Sequence, residues 1–298
     1  MAGELFIVGI GQKTGHLTAD AVSAIKKADV IAGHEVFVRQ VAGFIPKKAK
    51  IISDKKLRGK ARDVFVLMSL RANALAKEVS AGKKACILSG GDAGIFGVAA
   101  YCLEKTIPMG LKATIVPGIP AFLSAAATAG APISEGFALL PLCDEYIPER
   151  IVFKRIKLAA MADLPIVIYK PKFEANGLPK MYPKKEYPAL YPIGETGEKR
   201  IKKLARMLLR CKKNSTPVAI INDICSQSAY YREKSTKKVF GHSSFCEIIQ
   251  LKELEKKTKE ISFFSTLIIG NNSTIAIGKR IIDREWRHHK KTAKGAFT

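Results

Sequence analysis

The chemistry-bearing residues of this chain cluster behind short apolar runs. The clearest case is Ala85 to Leu88, which ends in Ser89-Gly90-Gly91-Asp92-Ala93-Gly94-Ile95-Phe96-Gly97. Glycine at that density lets the backbone reach positive φ and lets a ligand lie against it. A strand that stops, turns tightly and enters a helix sets its loop at the carboxyl edge of a sheet, where open α/β sheets hold ligands. One fixed carboxylate there, Asp92, suits a ligand with a cationic amino group; an Asp-capped turn uses the same residues. A second loop of this kind, Gly9-Ile10-Gly11-Gln12-Lys13-Thr14-Gly15, follows the apolar run Leu5 to Gly9. His34, at the end of a third short strand, can titrate near neutrality and is a candidate acid or base, or simply a helix-start histidine.

Other reactive residue types do not form constellations. The six cysteines (Cys86, Cys102, Cys143, Cys211, Cys225, Cys246) include no CxxC pair, so metal spacing is absent and buried thiols in a reducing cytoplasm are expected. His288-His289 has no carboxylate or thiol partner at ligand spacing, and a solvated tail is the better reading.

The elements that must position these loops come from a chain of 298 residues, long enough for two domains. Hydrophobic content of 47% against 26% charged residues is globular. No apolar run reaches the length of a membrane span, and no secretory leader precedes Leu5, so no membrane association and a cytoplasmic location are expected. The net charge of +24 is concentrated late: 18 basic and 10 acidic residues precede position 141, and 32 basic and 16 acidic follow. Without helix-turn-helix, zinc-finger or RNA-stacking motifs, this favours a polyanionic small molecule or a solvated surface over nucleic acid.

The first half alternates strand and helix. Asp29 to Ala32, Ala85 to Leu88 and Thr114 to Val116 read as strands, and helices are predicted behind an N-cap at Thr18, from about Arg62 to Ser80, over Gly94–Lys105 and over Pro120–Ala129. Such units argue a parallel sheet covered by helices. Residues 131–148, with Pro132, Gly136, Pro141 and Pro148, read as a linker. Beyond it a helix (Glu149 to Met161), a strand (Pro165 to Tyr169), a Pro/Lys-rich loop (Lys170 to Pro192), a basic helix (Glu198 to Lys213) and a strand (Val218 to Asn222) are expected. Strand-like segments at Lys237 to Phe240, Ser265 to Ile269 and Thr274 to Ile277 suggest a mixed sheet, ahead of a polar tail. The predicted division is an α/β domain over 1–135, a second over 136–278 and a basic tail over 279–298.

Four segments in fixed order carry a family resemblance. They are Val8-Gly9-Ile10-Gly11 with Leu17-Thr18 and Ala28-Asp29-Val30-Ile31; Leu88 through Gly97; Val116-Pro117-Gly118-Ile119 with Ala121 and Gly130-Ala131-Pro132; and Thr266-Leu267-Ile268-Ile269-Gly270-Asn271. The chain resembles the class III, tetrapyrrole-type methyltransferases that use S-adenosylmethionine. Within them it is most similar to the precorrin-3B (cobalt-factor III) C17 branch of corrin biosynthesis, for which Gly-Asp-Ala-Gly-Ile in place of Gly-Asp-Pro is characteristic.

The resemblance implies two α/β domains with the methyl donor in a cleft between them, and a homodimer. It places Gly90, Gly91, Asp92, Ile95 and Phe96 at the donor's methionine end, with Ala121 and Phe122 beside them. Tyr169, Lys170, Ile221 and Asn222 would approach the adenosine, and the loop with Gly9, Gly11, Gln12 and Lys13 would face the tetrapyrrole. Methyl transfer from a sulfonium is an in-line displacement that needs alignment more than acid–base residues, which suits glycine-rich motifs. A basic rim would help capture a polycarboxylate acceptor.

The chain also departs from the pattern. Gly-x-Gly-Pro-Gly becomes Gly9-Ile10-Gly11-Gln12-Lys13, a common Tyr becomes His34, Pro-Gly-Val-Ser-Ala becomes Pro117-Gly118-Ile119-Pro120-Ala121, and Leu-Ser-Asp becomes Leu142-Cys143-Asp144. Tyr-Asn-Pro becomes Tyr169-Lys170-Pro171. Asp144 can position the acceptor or act as a base. The leading expectation is C17 methylation of precorrin-3B or cobalt-factor III with ring contraction. The alternatives are methylation of another ring carbon or acceptor, and a non-catalytic tetrapyrrole-binding paralogue.

Overall fold

The computed structural model describes residues 3–53, 57, 64–142, 147–171, 197–222, 246–262 and 264–284. The chain forms two compact units whose described residues divide between Ala121 and Phe122. The sequence-based boundary at 135/136 lies later because Pro and Gly mark turns as readily as linkers.

The first unit is built on a five-stranded sheet with β1 (Glu4–Gly9), β2 (Val30–Gly33), β3 (Lys50–Ser53), β4 (Lys84–Ser89) and β5 (Lys112–Val116) in the order β3-β2-β4-β1-β5. Every pairing is parallel. Both faces are covered, so the strands read as apolar runs. Leu5, Ile7, Ala85 and Ile87 point to one face, against Ala72, Leu75 and Val79 of α3 (Val64–Ser80) and Cys102 of α4 (Ala99–Thr106). Val8, Ile31, Cys86 and Leu88 point to the other, against Ala21, Ala24 and Ile25 of α1 (Ala19–Lys26). The Thr18 hydroxyl caps α1 by accepting the Ala21 N–H at 3.1 Å, and α2 (Glu35–Gln40) follows β2 directly. The helix expected from Gly94 begins only at Ala99: Gly94 and Gly97 hold the preceding residues in bends.

In the second unit α5 (Ala121–Ala129) leads to a mixed sheet of β7 (Ala138–Pro141), β8 (Ile166–Tyr169), β9 (Pro217–Ile221), β10 (Cys246–Gln250) and β11 (Thr266–Ile269), ordered β10-β9-β11-β8-β7. Only the β7–β8 pairing is parallel. β7 lies inside the stretch read as a linker; its proline ends an edge strand, where a missing N–H is tolerated. The helices α6 (Glu149–Met161) and α7 (Gly197–Leu208) bury Val152, Phe153, Ile156, Ile201, Leu204 and Leu208 on this sheet.

A second, three-stranded sheet joins β12 (Ile275–Ile277), β13 (Arg280–Ile282) and β6 (Gly130–Ala131). β13 corrects the reading of everything after Lys279 as a polar tail. Ile281 is fully buried, and the Asp283 N–H bonds the Ala131 carbonyl at 2.8 Å. Two apolar residues, Ile281 and Ile282, between charged neighbours give no periodic signal, which is why the strand was not legible. The strand expected at Lys237 to Phe240 and the loop over Lys172 to Pro192 lie outside the described residues.

Candidate functional site

Parallel register brings the ends of the three central strands of the first unit to one edge. Gly9 of β1 pairs with Ser89 of β4, and Val8 pairs with Val116 of β5. The following loops then pack backbone against backbone. Gly11 and Gly91 exchange two N–H···O bonds of 3.0 Å each, with Gly91 at φ +69°. A Cβ on Gly118 would lie 2.3 Å from the Gly91 carbonyl oxygen and 2.6 Å from the Gly9 carbonyl carbon. Gly9, Gly91 and Gly118 therefore have to be glycine so that the three loops can close on one another.

Asp92 stands at the centre of this junction. One carboxylate oxygen accepts the N–H groups of Gly94 (2.8 Å) and Ile95 (3.2 Å), and the other accepts the Gly118 N–H at 3.0 Å. Its first task is thus to fold its own loop and tie it to the loop after β5. A carboxylate has about four acceptor positions. With three engaged among the described residues, one remains for a cationic donor such as an ammonium group. Just beyond, Phe96 sits at φ +51° and is 40% exposed. A bulky residue held in the left-handed region costs about 1–3 kcal/mol, and such strain collects at ligand clamps.

The side chains of the first loop are committed too. Gln12 is only 6% exposed. Its Nε2 donates to the Ile119 carbonyl at 2.8 Å, while its Oε1 lies 3.1 Å from Nδ1 of His16. This amide stitches the β1 loop to the β5 loop in place of the stiffness that the proline of the family pattern would give. Gln40 Nε2 donates to the Ile10 carbonyl at 2.9 Å. Lys13 precedes the short helical turn Thr14–His16 in an extended conformation. His34 is buried and caps α2: its Nδ1 accepts the Val36 N–H at 3.2 Å, which leaves the proton of the neutral ring on Nε2. Its ring lies 5.8 Å from that of Phe37, which in turn packs over Gly90.

His16 was not among the sequence candidates. Burial is the main cause that depresses its pKa below the ordinary 6.5, and Lys13 adds to the effect. The available signal was its position four residues after Gln12 in a glycine-rich loop.

In the second unit, register again fixes the neighbours. Thr266 of β11 pairs with Tyr169 on one side and Ile221 on the other, and Pro141 of β7 pairs with Tyr169. Tyr169, Lys170, Ile221 and Asn222 thus share one edge. The Tyr169 hydroxyl accepts the Phe122 N–H at the start of α5, and the Phe122 ring packs 5.2 Å from Phe137. Lys170 sits at φ +46°, a second strained residue at a strand end. Asn222 donates to the Glu260 carbonyl at 3.1 Å and accepts from the Ser265 hydroxyl. Ala121 is the first residue of α5. Asp144 lies outside the described residues.

Among the described residues no group of three or more His, Cys, Asp or Glu side chains could hold a metal ion. Burial pushes the thiols of Cys86 and Cys102 up, that of Cys102 to about 12, so neither is a ready nucleophile.

Comparison with known proteins places this architecture. A cobalt-factor III methyltransferase of Priestia megaterium is 27% identical over 281 residues, 92% of this chain and 43% of that protein. A probable cobalt-factor III C(17)-methyltransferase of Salmonella typhimurium is 30% identical over 171 residues, 56% of this chain and 67% of that protein. The chain thus spans less than half the length of the first relative and about two thirds of the second. Among solved structures, that of the methyltransferase CobJ superposes with a TM-score of 0.70 at 19% identity, covering 95% of this chain and all of that one. The model of the tetrapyrrole (corrin/porphyrin) methylases matches residues 4–237, more than half of the sequence, and the chain belongs to that family.

Proposed function

We propose that this protein is an S-adenosylmethionine-dependent C-methyltransferase of corrin biosynthesis that methylates C17 of precorrin-3B or cobalt-factor III, with ring contraction. The observation that carries the reading is the Ser89–Gly97 loop: it has the Gly-Asp-Ala-Gly-Ile form, and Asp92 organises it against the ends of two neighbouring strands. The names of the relatives point the same way. The donor supplies an electrophilic methyl group on a sulfonium.

The residues fit such a donor. The loop offers close-approach backbone at Gly90 and Gly91, the remaining acceptor position on Asp92, and the exposed Phe96. Gly90, Gly91, Asp92, Ile95, Phe96 and Ala121 are assigned to its methionine end. Phe122 is assigned beside it, and Tyr169, Lys170, Ile221 and Asn222 are assigned to the adenosine. The loop of Gly9, Gly11, Gln12 and Lys13 is assigned to the tetrapyrrole, with its ring carboxylates met by the basic surface. A cytoplasmic homodimer completes the reading, supported by the family resemblance.

Calorimetric titration with S-adenosylhomocysteine tests the donor assignment. Binding that is lost in Asp92→Ala and kept in a variant of the exposed Lys199 supports it; equal affinity in both contradicts it. Methylation of a different ring carbon is the second reading, favoured by the Gln12-Lys13 departure, and the position of the new methyl group in the product decides between them.

A further inference from the structure

The reading as a C-methyltransferase leaves a proton unassigned, and the loop after β1 holds a group built to take it. A backbone carbonyl can only accept, so the 2.8 Å bond to the Ile119 oxygen fixes the Gln12 amide with its NH2 toward Ile119 and its Oε1 toward His16. An amide oxygen also only accepts. The 3.1 Å contact between Gln12 Oε1 and His16 Nδ1 therefore requires a proton on Nδ1. The lone pair of the neutral ring is then on Nε2.

The ring is held where substrate chemistry is assigned. His16 packs on Gly11, where a Cβ would come within 2.3 Å of its own Cβ, and Gly11 is the residue bonded to Gly91. His34 has the opposite arrangement, with Nδ1 occupied by the Val36 N–H.

We infer that His16 Nε2 is the proton acceptor in methyl transfer and that Gln12 is the positioning residue that sets its tautomer. This rests on the function proposed above. The balance is simple. The electron pair of the acceptor carbon forms the new bond to the methyl carbon, and the pair of the S–CH3 bond leaves with sulfur. The methylated ring carbon carries no hydrogen, so the positive charge that the ring inherits from the sulfonium is discharged by breaking an N–H or O–H bond elsewhere on the tetrapyrrole. His16 Nε2 takes up that proton to become an imidazolium and later returns it to water.

Burial, and after it the nearby Lys13, favour the neutral ring. Among the described residues Lys13 is the charged side chain that acts on it.

The test joins a spectroscopic and a kinetic measurement on the whole chain. Nitrogen-15 NMR of the histidines, assigned with His16→Asn, is expected to show His16 with its proton on Nδ1; a proton on Nε2 overturns the inference without touching the functional reading. His16→Asn can still donate to Gln12 Oε1 but has no basic nitrogen. It should lower kcat by about a hundredfold or more, leave S-adenosylhomocysteine affinity unchanged and abolish the acid limb of the kcat profile. Activity within twofold of wild type overturns the inference. A wild-type chain that binds S-adenosylhomocysteine but methylates no tetrapyrrole overturns the functional reading, and the base with it.

Discussion

Asp92 and Gly118, 26 positions apart, are joined by a 3.0 Å bond from the Gly118 N–H to the Asp92 carboxylate, and this bond ties the glycine-rich loop after β4 to the turn after β5. The residue type that suits a cationic ligand is therefore also the residue that shapes the ligand's loop. Asp92→Ala removes the acceptor for three backbone N–H groups. With the loop partly exposed, a loss of about 2 kcal/mol is expected, together with S-adenosylhomocysteine binding weakened about tenfold or more. Asp92→Asn, which keeps one acceptor oxygen, should fall between. Urea denaturation and calorimetry read the two effects.

The glycine junction makes a sharper prediction. Gly118→Ala would place a Cβ 2.3 Å from the Gly91 oxygen, against backbone that cannot step aside, so a loss of about 3 kcal/mol or more is expected. Gly15→Ala, in the first loop but with nothing within 4 Å of its Cβ, should leave stability within about 0.5 kcal/mol of wild type. Equal melting temperatures for the two variants would contradict the packing described.

Tyr169→Phe keeps the ring but removes the oxygen that accepts the Phe122 N–H. The expected cost is about 1 kcal/mol in the second unit. Faster hydrogen exchange at the Phe122 amide, with the β8–β11 ladder unchanged, is the local signature to measure.

The pH dependence of stability has an acidic contribution from Glu149. Lys203 and Arg200 hold its carboxyl below the ordinary 4.5, against a smaller opposing effect of burial. A folded-state pKa below the unfolded one means that this stabilisation is present above about pH 4.5 and lost as pH falls through the lowered value. The group is partly exposed, so the contribution is about 1 kcal/mol or less. Glu149→Gln should cost that amount at pH 7 and nothing near pH 2, as read by denaturant midpoints at the two pH values.

His16 adds a dependence nearer neutrality. Its folded-state pKa lies below 6.5, so below that pH the unfolded chain binds a proton that the native ring resists, and stability falls as pH drops. A shallower decline between pH 7 and pH 5 in His16→Asn is the expected result.

Four strands of the first unit, β1, β2, β4 and β5, were legible as short apolar runs, and the N-cap at Thr18 marked α1, whereas the edge strand β3, with only Ile51 and Ile52 between Lys50 and Ser53, was not. The glycine loops were legible as loops. Their hydrogen bonding was not: Gln12 meets Ile119 across 107 positions, and Asp92 meets Gly118 across 26. No local pattern encodes such partners. His34 illustrates the same limit, since a histidine at a strand end reads equally well as an acid–base group or as the helix cap it forms. The positive φ of Phe96 and Lys170 is set by surrounding packing, not by their own preference. β7 and β13 were hidden by proline and by charge at the margins of their sheets.

Anaerobic incubation with S-adenosylmethionine and cobalt-factor III, read by mass and absorbance of the tetrapyrrole, tests C-methyltransferase activity most directly. A gain of one methyl group with a changed chromophore is the predicted result. An unaltered tetrapyrrole, from protein that binds S-adenosylhomocysteine, would contradict it.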